Sequence, residues 1–189
     1  KLDFRISLIN ELANTFKDRN KDLSILMADE IGKPLSQAKS EINKCVWLCN
    51  YYIENANDYL SANNIETEYF KSYVTYKPIG LVLGIMPWNF PFWQVIRFAI
   101  PALIVGNTIL LKHASNVQGC ANAIEDCFNK AGFSKTLTQK DITTRCGDYH
   151  LKGCDGCTTE TQTVLFERLQ GLKQTSLHLY LNKPEQGDR

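Results

Sequence analysis

The stretch from Gly84 to Trp93 holds the residue types best suited to chemistry in this chain. Asn89 lies between Pro87 and Pro91. Each proline fixes φ, and Pro91 suits the first turn of a following helix, so the asparagine has little conformational freedom. An amide held in this way can stabilise an oxyanion. The same residues also fit a stiff, aromatic-rich connection that only packs, and the stretch alone leaves both interpretations open.

The residues on either side predict where this loop lies. An apolar run, Leu81-Val82-Leu83, precedes it, and a long apolar segment follows it. This order is typical of a loop at the carboxyl end of a buried parallel strand, which is where ligands bind in open α/β sheets. We therefore predict a strand over 81–86, a helix over 91–105, a strand over 108–112 and a helix over 116–131.

These four elements form a βαβα unit with a turn at Gly106-Asn107. A right-handed crossover connects parallel strands, so the loops 87–90 and 113–116 are expected at one edge of the sheet, where their residues can share a ligand. The chain contains no G-x-G-x-x-G motif. A dinucleotide at this edge would therefore not be held by the usual glycine turn.

Residues 1–65 are predicted to be helical. Apolar residues recur every three or four positions from Leu2 to Phe16, from Asn20 to the stop at Gly32-Lys33-Pro34, and from Leu35 to Leu60. Cys45 and Cys49 lie on the apolar stripe of the third helix and are predicted to be core residues. Residues 68–77 change to a period of two, which predicts a half-exposed strand of an antiparallel pair.

Composition narrows the classes of function. The 189 residues include 21 Lys plus Arg and 20 Asp plus Glu, a net charge of +1, so the chain has no basic field that would attract nucleic acid or anionic lipid. Its longest apolar runs fall well short of the roughly 20 residues that span a membrane. We expect a soluble, cytoplasmic protein, with an upstream piece missing because Lys1 already lies in a helix.

The cysteines are odd in number and irregularly spaced, which favours free thiols over disulfides. They are the seven residues at positions 45, 49, 120, 127, 146, 154 and 157. Cys146, His150, Cys154 and Cys157 are also candidate ligands of a tetrahedral zinc ion. Only the final C-x2-C has a familiar spacing, so a zinc-binding module is a weaker alternative. Residues 134–163 show no sustained period, and a helix is predicted only around 164–172.

Residues 1–133 resemble the NAD(P)-dependent aldehyde dehydrogenases, and most of all their succinate-semialdehyde branch. The resemblance rests on motifs that occur in the family's order and at its spacing. They are Glu30-Ile-Gly-Lys-Pro-Leu with Ala38 and Glu41, Gly84-Ile-Met-Pro-Trp-Asn-Phe-Pro-Phe-Trp-Gln, Pro101-Ala-Leu-Ile-Val-Gly-Asn-Thr, and Leu110-Leu-Lys-His-Ala-Ser. The implied fold is α/β, with N-terminal helices and an incomplete, Rossmann-like parallel-sheet cofactor-binding domain.

The resemblance also implies roles for single residues. Trp88 and Asn89 would border the cofactor, and the Asn89 amide would stabilise the oxyanion of a thiohemiacetal. The segment Lys112-His113-Ala114-Ser115 would bind the cofactor, with Lys112 and Ser115 holding the adenosine ribose. An ammonium can donate to ribose hydroxyls or to a 2′-phosphate, and a small serine leaves room for that phosphate, so NADP and NAD both fit. For Lys112 the alternative is a solvated strand end.

Arg97 is a candidate substrate residue. Its neighbours in the predicted helix are mostly apolar, so its guanidinium needs an anionic partner or a route to water. The resemblance implies that this partner is the carboxylate of a short semialdehyde. A structural ion pair with an acidic residue of the N-terminal helices is an equally supported alternative.

The family pattern breaks up after residue 133. The segment Cys157–Gln162 stands where the family has the motif G-S-T-x-x-G. The segment from Leu172 to Leu181, which contains His178, stands where the family has E-L-G-G. The family's nucleophile motif, G-Q-x-C, is absent from the sequence. We therefore expect one truncated or degenerate domain, with helices over 1–65, the strand and βαβα unit over 66–133, and a divergent tail over 134–189. Such a chain would not turn over an aldehyde alone.

One further interpretation remains at this stage. A non-catalytic binding or assembly module could keep the fold and present its surface to a partner. The resemblance otherwise implies a small aldehyde and a dinucleotide as partners, and it leaves homo-oligomerisation open.

Overall fold

The computed structural model describes residues 1–133 and 178–182. Five helices lie in these residues: α1 Leu2–Asp18, α2 Asn20–Ile31, α3 Leu35–Leu60, α4 Trp93–Val105 and α5 Gln118–Lys130. Five strands accompany them: β1 Asn63–Asn64, β2 Lys71–Thr75, β3 Leu81–Met86, β4 Thr108–His113 and β5 His178–Asn182. A 3-10 turn, Ser115–Val117, precedes α5.

The three N-terminal helices agree with the predicted helical part. Gly32 ends α2 with φ of 65°, a left-handed conformation that glycine adopts without steric cost. The core forms where α3 packs against α1, α2 and α4, and α5 packs against α1 and α2. Cys45 and Cys49 are fully buried in this core, which confirms their predicted place on the apolar stripe.

The central βαβα unit is confirmed as well. β3 and β4 pair in parallel, from Leu81 opposite Thr108 to Met86 opposite His113. The first helix of the unit begins at Trp93 rather than at the predicted Pro91, because Pro91 and Phe92 form a turn. α4 lies close against β3: a Cβ placed on Gly84 would come within 2.5 Å of Phe98 Cε1.

A second sheet has the order β1-β2-β5, and both of its pairings are antiparallel. The predicted strand over 68–77 is therefore present, although it is confined to 71–75. Its pairing with β5, in which Thr75 lies opposite His178, has no counterpart among the sequence predictions. The candidate zinc ligands at 146, 150, 154 and 157 and the predicted helix at 164–172 lie outside the described residues.

Among the described helices, none combines the length and the apolar character that crossing a bilayer requires.

Candidate functional site

The loops after β3 and β4 meet at one edge of the parallel sheet, as the topology predicted. His113, the last residue of β4, joins them: its Nε2 lies 2.9 Å from the Pro91 carbonyl oxygen, and its Nδ1 accepts a hydrogen bond of 2.8 Å from the Ala114 backbone N–H. Because Nδ1 accepts, Nε2 carries the proton and donates to Pro91 in the neutral ring. One buried imidazole thus fixes the spacing of the two loops.

A buried ion pair from the helical part holds the Asn89 loop from its other side. The Glu41 carboxylate accepts hydrogen bonds of 2.9 Å from the backbone N–H groups of Phe92 and Trp93, at the start of α4. Its second oxygen forms a salt bridge with Lys33, and the Lys33 ammonium also donates to the Asn89 carbonyl at 3.2 Å. Side-chain exposure is 7% for Lys33 and 2% for Glu41. The backbone of Asn89 is therefore anchored to α3.

A second carboxylate caps the N-terminus of α5, as Glu41 caps that of α4. Glu30, near the end of α2, accepts hydrogen bonds from the backbone N–H groups of Gly119 at 2.6 Å and Cys120 at 2.9 Å. A carboxylate at a helix N-terminus satisfies backbone donors that have no partner within the helix, and it also interacts favourably with the helix dipole. Both helices of the βαβα unit thus begin on acidic side chains of the N-terminal helices.

The residues predicted to bind a cofactor lie along this edge. Trp88 is 52% exposed, and Asn89 and Ser115 are exposed as well. Lys112 is half-buried in β4, opposite Ile85 of β3, and its ammonium has no hydrogen-bond or salt-bridge partner in the described part of the chain. The arrangement places an amide-containing loop, a lysine and a small hydroxyl residue at one edge of the sheet.

His113 and Ala114 are placed differently from their exposed neighbours. Ala114 is half-buried and His113 is completely buried, and both ring nitrogens of His113 contact backbone groups. The observed contacts of His113 are those of a residue that positions the loops. Direct contact of these two residues with a cofactor stays a prediction.

Arg97 is exposed to solvent on α4, so its guanidinium has the route to water that the sequence analysis gave as one of two possibilities. Its Nη2 donates to Gln94 Oε1 at 2.9 Å, one turn earlier in the same helix. Within residues 1–133 and 178–182, the structure shows no carboxylate paired with Arg97, so the structural ion pair is not observed. The guanidinium reaches water, which leaves it accessible to a ligand.

Sequence reasoning missed the anchoring roles of Lys33, Glu41 and Glu30, which entered only as parts of family motifs. One signal was present for Glu41: it follows Ala38 by three residues and precedes Ile42 directly, so it lies at the buried stripe of α3. A charged residue on a buried face needs a charged or hydrogen-bonding partner. The partners in α4 lie about fifty positions further along the chain, so periodicity could not identify them.

The described cysteines are poorly suited to nucleophilic attack. Cys45, Cys49, Cys120 and Cys127 are free thiols, and all four are buried. Burial raises the pKa of Cys49 to about 12 and raises the pKa of the other three thiols as well. Since the thiolate is the reactive form, these four residues are structural.

The buried imidazole predicts a pH dependence of stability. Burial lowers the pKa of His113 below its ordinary value of 6.5, although the Pro91 carbonyl and the Glu30 and Glu41 carboxylates act in the opposite direction and Lys112 assists the lowering. The unfolded chain therefore binds this proton more readily than the folded chain does. The contribution of His113 is complete above about pH 6.5 and is lost as pH falls towards the lowered pKa of the folded state.

We expect the free energy of unfolding, measured by urea titration, to fall between about pH 7.5 and about pH 5.5, and to fall less steeply in His113→Gln. Glutamine cannot titrate, and its amide can donate to the Pro91 carbonyl as the imidazole does. The difference in slope between the parent and His113→Gln therefore isolates the titration of this imidazole. Identical slopes for His113→Gln and the parent would contradict the prediction.

The fold and this edge define the class: an α/β protein in which a parallel βαβ unit presents two loops for a ligand at the carboxyl ends of its strands. Residues 1–140 match the family model described as "Aldehyde dehydrogenase family". That match covers more than half of the 189 residues, and the chain belongs to the aldehyde dehydrogenase family.

Named relatives agree with this assignment. A Synechocystis protein named probable succinate-semialdehyde dehydrogenase (NADP+) is 46% identical over 131 residues, which are 69% of this chain and 29% of the relative. The Escherichia coli succinate semialdehyde dehydrogenase Sad, whose name gives NAD(P)+ as cofactor, is 39% identical over 131 residues, 69% of this chain and 28% of the relative.

Solved structures share the same fold. The crystal structure of succinic semialdehyde dehydrogenase from Streptococcus pyogenes, in complex with NADP+, superposes with a TM-score of 0.69 at 27% identity, and the match covers 76% of this chain and 33% of that one. The chain thus spans about a third, or slightly less, of the length of the relatives it matches. The resemblance of residues 1–133 to this family is confirmed.

Proposed function

We propose that this chain is the cofactor-binding part of an aldehyde dehydrogenase that oxidises a short aldehyde such as succinate semialdehyde with NADP or NAD. One observation carries the proposal: the Asn89 loop and the Ser115 segment lie at one edge of the parallel sheet, and His113 bridges their bases. In this proposal the Asn89 amide stabilises the oxyanion that forms on the aldehyde oxygen when a nucleophile attacks the carbonyl carbon. A bound nicotinamide would supply the hydride acceptor.

The residues at the edge fit a dinucleotide. Lys112 offers an ammonium without a partner among the described residues, and Ser115 next to it is small and exposed. An ammonium beside a hydroxyl can donate to ribose hydroxyls and can neutralise a phosphate. No carboxylate in the described part of the chain forms a salt bridge with Lys112, so a 2′-phosphate would not compete with an acidic side chain for this ammonium. This supports NADP at least as well as NAD.

Arg97 is proposed to contribute to substrate binding. Its guanidinium is exposed on α4, and its only described hydrogen bond is the one to Gln94. That bond uses one of the five N–H donors of the guanidinium, so the other N–H groups can bind a carboxylate through two parallel hydrogen bonds. The aldehydes proposed here end in such a group.

Replacement of Lys112 by Ala is expected to weaken NADP binding by about 1 to 3 kcal/mol, the range of a hydrogen bond to a charged group. Isothermal titration of the chain with NADP, and separately with NAD, measures the effect. A loss that is larger for NADP than for NAD would assign Lys112 to the 2′-phosphate.

The matched control for this experiment is Lys130→Ala. Lys130 is an exposed lysine at the end of α5, away from the loop edge, and its removal changes the net charge by the same amount. The control should bind as the parent does. Equal affinities for Lys112→Ala, Lys130→Ala and the parent would refute the role of Lys112.

A further inference from the structure

Three tyrosines of α3 form an aromatic cluster near the end of that helix, apart from the loops of the proposed site. The ring centroids of Tyr51, Tyr52 and Tyr59 lie no more than 6.4 Å from one another. Tyr51 and Tyr59 are eight positions apart, so they share one side of the helix at a distance of about two turns. Their exposed fractions are 37% and 48%. A reagent in solution therefore reaches both phenols.

The hydroxyl groups of Tyr51 and Tyr59 form a hydrogen bond with each other, and either one can be the donor. Their ring centroids lie 6.3 Å apart, with the ring planes tilted by 47°. The hydrogen bond to Tyr51 raises the pKa of Tyr59 above its ordinary value of about 10, so Tyr59 keeps its proton at neutral pH. Each ortho carbon is two bonds from its hydroxyl oxygen, and ortho carbons of both rings therefore lie beside this contact.

This geometry suits the coupling of two phenols. Loss of one electron and the hydroxyl proton from a tyrosine gives a phenoxyl radical, whose unpaired electron is shared between the oxygen and the ortho carbons. When two such radicals couple through their ortho carbons, the hydroxyls of the product lie on either side of the new bond. The hydrogen-bonded pair already holds its hydroxyls side by side. The rings still have to approach each other, and exposed side chains make such rotations within picoseconds to nanoseconds.

We propose that Tyr51 and Tyr59 are a site of oxidative modification, at which a one-electron oxidant joins the two side chains in an ortho,ortho′-dityrosine cross-link. Each tyrosine gives one electron to the oxidant and its hydroxyl proton to water. The two unpaired electrons form the new carbon–carbon bond, and the hydrogen on each coupled carbon then moves to the oxygen of its ring through water. Two electrons and two protons leave the chain, and they reduce one hydrogen peroxide to two water molecules when a haem peroxidase is the oxidant.

The arrangement of the rings distinguishes Tyr51 from its neighbour Tyr52. Tyr52 meets both other rings in T-shaped contacts, at 85° to Tyr51 and 63° to Tyr59. A T-shaped contact directs the edge of one ring at the face of the other, so it does not bring two ortho carbons together. Coupling therefore joins Tyr59 to Tyr51 and closes a covalent ring over the last turns of α3, which ends at Leu60.

The test treats the full chain with a haem peroxidase and hydrogen peroxide at neutral pH. For about 10 µM chain and an effective concentration of about 1 mM for the neighbouring side chains, coupling within a chain is favoured about 100-fold over coupling between chains. The denatured product is then cleaved after glutamate by a glutamyl endopeptidase. Because Glu54 lies between the two tyrosines, fragments 42–54 and 55–66 separate without the cross-link. With it they stay joined, and mass spectrometry finds them two hydrogen atoms lighter than their sum.

We expect the yield of joined fragments to fall at least about ten-fold in Tyr51→Phe and in Tyr59→Phe, because phenylalanine keeps the ring but removes the aligned hydroxyl. Tyr52→Phe should keep the yield of the parent. So should Tyr76→Phe, the matched control, since Tyr76 is 46% exposed and lies outside α3. Removal of one exposed hydroxyl scarcely changes stability, and circular dichroism of each variant checks that it is folded.

Several results would overturn the inference. They are fragments that never become joined, a yield that falls equally in Tyr51→Phe and Tyr52→Phe, and a covalent dimer as the main product. Oxidation in urea supplies a further test, because the unfolded chain no longer orients the rings. Tyr52 should then compete with Tyr51 for coupling to Tyr59, and the same preference for Tyr51 in the folded and unfolded chain would show that the fold does not set it.

Discussion

Replacement of Glu41 by Gln is expected to lower the free energy of unfolding by about 3 to 5 kcal/mol, the range for breaking a buried ion pair by removal of one partner. Glutamine can still accept the hydrogen bonds from Phe92 and Trp93, so the helix start keeps its cap. The Lys33 ammonium, however, would stay buried without a counter-charge. Urea unfolding followed by circular dichroism measures the loss.

The double variant Lys33→Met/Glu41→Gln separates the charge from the shape of the site. Because neither charge is present, no charged group has to be desolvated on folding, and an apolar side chain takes the place of the lysine. We expect the double variant to be more stable than Glu41→Gln alone, with a coupling energy above about 1 kcal/mol. Since the Asn89 carbonyl loses its donor in this variant, the loop itself should become more mobile.

Glu54→Gln is the matched control, because Glu54 lies on the same helix and is exposed. It should unfold within about 0.5 kcal/mol of the parent, as surface substitutions usually do. A Glu41→Gln variant that is equally unaffected would show that the pair does not hold the loop.

The 189-residue chain alone is expected to produce no NADPH or NADH from succinate semialdehyde above a buffer blank. The proposed chemistry needs a thiolate, an oxyanion donor, a nicotinamide and a carboxylate that activates water. Asn89 is the proposed oxyanion donor, but the four described cysteines are buried thiols with raised pKa values. Loss of one member of a catalytic unit costs several orders of magnitude.

Initial-rate measurement of cofactor reduction, with the purified chain and both cofactors, tests this expectation. Single Cys→Ala variants at positions 146, 154 and 157 form the control set, because these cysteines lie outside the described residues. Turnover that follows the purified chain and disappears in one of these variants would identify a nucleophile and reject the expectation.

Local patterns were sufficient for the elements and for their order. Apolar spacing of three and four predicted α1 to α3, a buried run followed by a long apolar helix predicted β3 and α4, and the crossover rule then placed the loops 87–90 and 113–116 at one edge. These inferences succeed because hydrophobic periodicity and chain handedness act over short stretches. The motif order of residues 1–133 likewise carried the family assignment, which the family match confirms.

Only the tertiary structure decided how that edge is held and which charges remain for a ligand. The buried position of His113, the capping of α4 by Glu41 and of α5 by Glu30, and the exposure of Arg97 all depend on contacts between elements far apart in the chain. A carboxylate has the same sequence signature whether it caps a distant helix or faces water. Its role is set by the geometry that brings its partner within hydrogen-bond distance, and that geometry exists only after the helices have packed.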